Sequence, residues 1–234
     1  MRGSGGSGTI FFSHCNLRCV FCQNFDISWQ GEGRPVTKDE LAAMMLSLER
    51  AGCHNVNFVT PSHVVPQILE ALCVAAERGL RLPLVYNTGG YDRVETLQWL
   101  DGVVDVYMPD FKFWDPAVGG EMARAVDYRE VACRALREMH GQVVDLEIDA
   151  QGLARRGLLV RHLVMPNDLA GTREVMRFLA EEISRDTFVN VMPQYRPQGH
   201  AHRHASIARP LLLDEFAQAV AIAEEEGIRR FNRR

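Results

Sequence analysis

The chain alternates between short, nearly continuous apolar runs and longer stretches in which apolar residues recur every three or four positions. Gly8–Ser13, Asn55–Val59, Leu82–Tyr86, Val103–Met108, Leu158–Met165 and Thr187–Met192 are of the first kind, rich in β-branched and aromatic residues, as strands buried on both faces are. The second kind predicts helices over Thr37–Arg50, Ser62–Arg78, Val94–Leu100, Asp127–Met139, Thr172–Glu182 and Leu213–Glu226. Thr37 opens the first of these with Glu40 three residues later, a capping-box signature. Strand and helix in strict alternation imply parallel strands joined by right-handed crossovers. The expected fold is therefore α/β, a partial (β/α)6 barrel in a single domain. Only Val143–Leu159 breaks the alternation, and Asp145–Asp149 is expected to pair with Gly157–Val160 as a hairpin across Gln151-Gly152.

Composition narrows this frame. A chain of 234 residues that is 47% apolar can bury one sizeable core. The opening Met1–Gly8 is Gly/Ser-rich and reads as a flexible leader or a cloning remnant, which leaves residues 9–234 as the core domain. The net charge of −4 comes without a basic block, so no nucleic-acid footprint is expected. No apolar stretch is long enough to span a bilayer. The expectation is a soluble, cytoplasmic protein.

Candidate chemistry concentrates after the first strand, where Cys15, Cys19 and Cys22 are spaced Cys-x3-Cys-x2-Cys. Three thiolates on one loop can hold three irons of a cubane [4Fe–4S] cluster and leave the fourth iron open for chemistry, whereas an electron carrier usually closes all four. Zinc bound by the three cysteines and His14 is the plainer alternative. His14 and Cys15 are adjacent, however, and reach one tetrahedral ion poorly; zinc ligands also tend to come in separated pairs. Disulfides are not expected where three of six cysteines crowd one loop and no secretory segment is seen before them. Cys53, Cys73 and Cys133 are scattered; Cys73 lies in an apolar helical run, and Cys53 and Cys133 read as small packing residues rather than second-cluster ligands.

In parallel α/β folds the working face lies at the C-terminal ends of the strands. Each strand delivers a polar or glycine-rich cluster there: Thr60-Pro61-Ser62-His63, Asn87-Thr88-Gly89-Gly90-Tyr91, Met108-Pro109-Asp110-Phe111-Lys112, Arg161-His162 and Met192-Pro193-Gln194-Tyr195. Alternation along the strand sends one of Arg161 and His162 away from that face. His200, His202 and His204 read as a mobile, solvated loop.

The cysteine loop and its neighbours resemble the radical S-adenosylmethionine (SAM) enzymes. Phe21, just before the third cysteine, stands where that superfamily has an aromatic residue against the SAM adenine. The continuation Cys22-Gln23-Asn24-Phe25-Asp26-Ile27-Ser28-Trp29 is similar to the cluster loop of the pyruvate formate-lyase activating enzymes and of activating-enzyme-like iron–sulfur proteins, with a match running from Gly8 to about Arg209. This resemblance implies a [4Fe–4S] cluster on Cys15, Cys19 and Cys22, with SAM bound by Phe21, Asn24, Thr60, Ser62, Asn87, Thr88, Met108, Asp110, Lys112, Arg161 and Tyr195. Asp110-Phe111-Lys112 matches an Asp-Leu-Lys motif at the methionine end of SAM, and Asn87, Thr88, Met108 and Asp110 fall at a monovalent-cation site. Three departures stand out: Asn87 replaces an aspartate, Tyr195 replaces a histidine, and Thr60-Pro61-Ser62-His63 replaces a Gly-Gly-Glu-Pro run that holds the SAM amino group. The implied chemistry is reductive cleavage of SAM to a 5′-deoxyadenosyl radical that abstracts hydrogen from a substrate. A glycine of a partner glycyl-radical enzyme is the first candidate substrate, and a peptide or small molecule the second. The implied reductant is a low-potential donor such as flavodoxin or ferredoxin. A non-catalytic electron-transfer or zinc-binding protein is the reading from another class.

Overall fold

The computed structural model describes residues 5–232; residues 1–4, half of the expected leader, lie outside the described residues. Of the remaining leader, Gly5 donates its N–H to His54 Nε2 and Ser7 its hydroxyl to Asn55 Oδ1. The strands are β1 (Gly8–Phe11), β2 (Val56–Val59), β3 (Leu84–Thr88), β4 (Val106–Pro109), β5 (Glu147–Ile148), β6 (Ala154–Leu163), β7 (Phe188–Met192) and β8 (Arg230–Phe231). The helices are α1 (Lys38–Arg50), α2 (Val65–Glu77), α3 (Val94–Gln98), α4 (Pro116–Ala123), α5 (Tyr128–Val143), α6 (Thr172–Phe178) and α7 (Leu213–Glu225). The strands run β1-β2-β3-β4-β6-β7-β8 in space, all parallel, with β5 antiparallel on β6. No pairing joins β1 to β8 among the described residues, so the sheet curls without closing. The expected partial barrel is the fold observed.

The differences have local causes. β3 starts and ends two residues later than expected, because Pro83 has no N–H for the ladder and serves only as acceptor, to Val56 N. β4 starts late because Val103 and Val104 fold back onto the Leu100 carbonyl. The hairpin is tighter than expected: Glu147 pairs with Arg156 and Ile148 with Ala154. Asp149 fixes that turn by accepting from the N–H groups of Gln151 and Leu153, which frees Gly157–Leu163 to pair with β4 and β7. Helix α4 was not foreseen. Asp115 caps it and Pro116 opens it, but Gly119 and Gly120 lower its intrinsic propensity. Gly119 is needed there, since a Cβ would come within 2.7 Å of the Ala125 carbonyl oxygen.

Alternation along the strands sorts the side chains. Tyr86, Tyr107, Leu158, Val160, Val189 and Val191 join the main core, while Val56 and Phe58 pack in a second cluster with residues of α1 and α2. On the opposite strand face, Val85, Val106 and Leu159 form a small apolar plug with Leu146 and Met108. Asn87 and Arg161 lie two residues beyond Val85 and Leu159 on that same face, and Asp110 two beyond Met108. The plug thus sits beneath a polar layer at the strand ends.

Candidate active site

The strand ends and the cysteine loop enclose one cavity. It is lined by the Cys15, Cys19 and Cys22 thiol residues, by Phe21, Gln23 and Asn24, by Thr60, Asn87, Thr88 and Gly89, and by Asp110, Lys112 and Arg161. Leu163, Met165, Met192 and Gln194 complete the wall on the β6–β7 side. Residues spread over 180 positions of sequence therefore face one space.

Clamps from four directions hold the cysteine loop. Arg18 and Val20 donate their N–H groups to the Ala123 and Met122 carbonyls at the end of α4, and His200 N–H reaches the Val20 carbonyl at 2.7 Å. Asn16 Nδ2 donates to the Tyr91 carbonyl at 2.6 Å, and Gln23 Nε2 to the Arg196 carbonyl at 3.1 Å. Trp29 Nε1 donates to the Cys19 carbonyl at 3.1 Å. Its ring stacks on Phe25 at 5.3 Å, with His200 edge-on to both rings and the Arg18 and Arg124 guanidinium groups over the Trp29 face. His200 is therefore packed rather than solvated and His204 Nδ1 lies 3.0 Å from Glu121, while His202 is exposed as expected. One π-type turn, Asp26–Gln30, carries Trp29 into place.

Burial raises the Cys15 thiol and pushes Cys19 up to about 12, against the pull of Lys112. Among the described residues no three His, Cys, Asp or Glu side chains converge on a single ion. All three cysteines line the cavity. That donor set fits an iron–sulfur cluster. Cys53 is half-buried, Cys73 exposed and Cys133 buried in the core, all away from the cavity lining.

On one wall Asp110 is the centre of an ion triad. Arg161 Nε lies 2.7 Å from Oδ1 and Lys112 Nζ 2.5 Å from Oδ2. Burial alone would raise the Asp110 carboxyl, but the two cations overcome it and hold it below the usual range; burial opposes the Lys112 charge, and Asp110 raises that amine in spite of it. The register makes this meeting obligatory, since Asp110 N–H bonds to the Thr88 carbonyl and Phe111 N–H to the Arg161 carbonyl. Tyr128 bolts the strand ends from behind, accepting from Lys112 N–H with its hydroxyl oxygen 2.9 Å from the Gly89 and Asp110 carbonyls. Gly90 is required at φ +77°, because a Cβ would lie 2.2 Å from the Asp110 carbonyl oxygen.

The other expected residues divide. Arg161 points to the cavity, whereas His162 is fully buried on the opposite face between the Phe111 carbonyl and Thr172 Oγ1. Thr60 lines the cavity with a strained φ of +59°, held by its N–H to the Asn87 carbonyl. Three expected contacts lie outside the lining. Ser62 turns to Thr88, its Oγ 2.9 Å from Oγ1. Met108 belongs to the apolar plug one layer below Asp110. Tyr195 is buried behind Phe21, ring centroids 6.1 Å apart, and its hydroxyl is spent on the Ile207 carbonyl at 2.7 Å. It holds the Phe21 ring from one side while Phe113 holds it edge-on at 5.8 Å.

A family model described as the radical SAM superfamily matches residues 9–148. The chain belongs to the radical SAM superfamily. It is 34% identical over 230 residues to an uncharacterized protein, MJ0674, of Methanocaldococcus jannaschii, covering 95% of this chain and 63% of that relative's length. Among solved structures it is similar in fold to methylornithine synthase (PylB), with a TM-score of 0.60 and 18% identity, over 96% of this chain and 63% of that one. A domain of pyruvate-formate lyase-activating enzyme from Bacteroides vulgatus gives 0.53 and 14%, over 76% and 97%. The enzyme anSMEcpe with bound AdoMet and the Cp18Cys peptide gives 0.64 and 12%, over 96% and 62%. The superfamily is one of enzymes that use a [4Fe–4S] cluster and SAM; this chain spans 63% of the length of the curated relative it matches. No helix among the described residues is long and apolar enough to cross a membrane.

Proposed function

We propose that Cys15, Cys19 and Cys22 hold the cluster and that SAM lies across the cavity between the cysteine loop and the strand ends. The observation that carries this is the convergence of all three thiols with Asp110, Lys112, Arg161, Thr60 and Thr88 on one space. When bound, the cluster would supply one low-potential electron for reductive cleavage of SAM to methionine and a 5′-deoxyadenosyl radical able to abstract hydrogen from a substrate. The chain's own residues bind, orient and keep the site dry. Lys112 and Arg161 face the SAM carboxylate; with Asp110 between them they leave one net positive charge on that wall. Phe21, immobilised by Phe113 and Tyr195, offers a ring face to the adenine. Leu163, Met165 and Met192 exclude water from the far end of the cavity.

A glycine on a partner glycyl-radical enzyme is the proposed hydrogen donor, with flavodoxin or ferredoxin as reductant, in the cytoplasm. The activating-enzyme-like sequence Cys22-Gln23-Asn24-Phe25-Asp26 and the fold shared with an activating-enzyme domain favour it. A peptide substrate is the second reading, favoured by the fold shared with a peptide-bound enzyme. The deciding experiment is anaerobic cluster reconstitution followed by dithionite and SAM, with 5′-deoxyadenosine quantified in wild type and Cys22→Ala. Release that disappears in the variant supports the assignment. A fully loaded cluster without release overturns it. Deuterium from glycine-labelled candidate partners, recovered in 5′-deoxyadenosine, separates the protein substrate from the alternatives.

A further inference from the structure

The side of the cysteine loop turned away from the cavity carries cations that no carboxylate answers. Arg18 and Arg124 set their guanidinium groups over the Trp29 ring, 5.4 and 5.8 Å from its centroid. Arg18 also donates to the Ser28 carbonyl at 3.2 Å, but among the described residues neither arginine forms an ion pair. Elsewhere Arg137, Arg155, Arg161, Arg173, Arg177 and Arg209 each close on a carboxylate. Glu121 and Asp127, the acids nearest Arg124 in sequence, are turned instead to His204 and the Tyr91 hydroxyl, and Asp26 on the Trp29 turn reaches neither guanidinium. The short turn Ala201–Arg203 follows His200, which packs on Trp29, and adds the exposed His202 and Arg203. Arg124 is itself exposed, and Val126, two residues on, is 67% exposed. None of Arg18, Trp29 and Arg124 lines the cavity.

An electron has to reach the cysteine loop from outside, and SAM with its substrate fills the cavity side. The opposite side offers a short way in. Trp29 Nε1 donates to the Cys19 carbonyl, so one hydrogen bond and one residue separate the indole from the buried Cys19 sulfur. The chain as a whole carries a net charge of −4 and repels an acidic protein at long range. Such a partner is steered to the place where unpaired positive charge is gathered, and a few exposed cations beside an apolar residue suit a brief encounter. We propose that Arg18 and Arg124 form the docking point for a small acidic one-electron carrier, a flavodoxin, on the outer side of the cysteine loop. The flavin hydroquinone anion gives up one electron and becomes the neutral semiquinone, the oxidised cluster takes that electron up, and no proton moves. This rests on the cluster reading of the three cysteines.

The test compares two electron donors on anaerobically reconstituted protein. Stopped flow reads the bleaching of the cluster absorbance, and titration calorimetry with oxidised flavodoxin reads docking without any turnover. Arg124→Glu is expected to slow reduction by flavodoxin hydroquinone about tenfold at low salt and to weaken flavodoxin binding by a similar factor. Reduction by reduced methyl viologen, a small cation, is not slowed by the same change. Arg124→Lys keeps the charge and stays within about twofold of wild type with both donors. Added salt slows the flavodoxin reaction of wild type, and that dependence flattens in the double variant Arg18→Gln, Arg124→Gln. Arg18→Gln alone carries the comparison should Arg124→Glu fail to take up a cluster. Equal slowing with both donors, or flavodoxin binding and rates indifferent to Arg124→Glu and to salt, overturns the docking point and leaves the cluster reading standing. A wild type that takes up no cluster overturns both.

Discussion

Asp110 lines the cavity and Asp92 lies behind the neighbouring strand β3, both removed from bulk water, and the chain has solved their charges in opposite ways. Asp110 is half-buried and braced by Arg161 and Lys112, which together pull its carboxyl below the usual range despite burial. Asp92 is more deeply buried and is met only by hydroxyls; burial wins there and raises its carboxyl. A carboxylate of the first kind stabilises the fold when ionised, and one of the second kind costs stability when ionised. The ion triad is thus architecture and binding surface at once. The hydroxyl-held carboxylate works against the fold when it is ionised.

The largest expected effect breaks the contrast at its stronger end. Asp110→Asn leaves Lys112 and Arg161 facing each other, so stability falls by about 2–4 kcal/mol in chemical denaturation. Asp92→Asn, by contrast, should unfold at or above the wild-type temperature at neutral pH; a loss comparable to that of Asp110→Asn would erase the distinction. Acid titration sharpens it next. The depressed Asp110 contributes stability above the unfolded carboxylate range, and that contribution is lost only as pH falls through its lowered value. The raised Asp92 takes up its proton earlier, so between its folded and unfolded values acid favours the folded state. Thermal melts against pH should accordingly show the Asp92→Asn advantage closing first and the Asp110→Asn deficit closing last. The smallest effect is that of Tyr86→Phe, about 1 kcal/mol from a single buried hydrogen bond, seen by the same melts.

Local patterns made much of this molecule legible in the sequence. The Thr37 capping box forms as its spacing implies, with Glu40 reaching back to Thr37 N–H at 2.8 Å. The cysteine spacing located the loop, and the rule that strand ends carry the site located Thr60, Asn87, Thr88, Asp110, Lys112 and Arg161. What escaped is set by distances that no spacing encodes. Tyr195 follows a strand end as a binding residue would, yet a carbonyl twelve residues on captures its hydroxyl. Asp92 stands in a loop of ordinary composition, and its meaning appears only when β3 delivers Tyr86 and Thr88 to the same side of the sheet. Gln194, Leu163, Met165 and Met192 are apolar or neutral residues of a cavity whose polar members alone attract notice in a sequence.

The clamps on the cysteine loop also impose an order of assembly. Cys15, Cys19 and Cys22 are made early, but the groups that seat them come from Met122 and Ala123 and, last, from Arg196 and His200. Synthesis runs from the N-terminus, so the segment through His200 must leave the ribosome before the loop can take its final shape. The shape of the cysteine loop is thereby timed by residues far downstream of it rather than by the cysteines themselves.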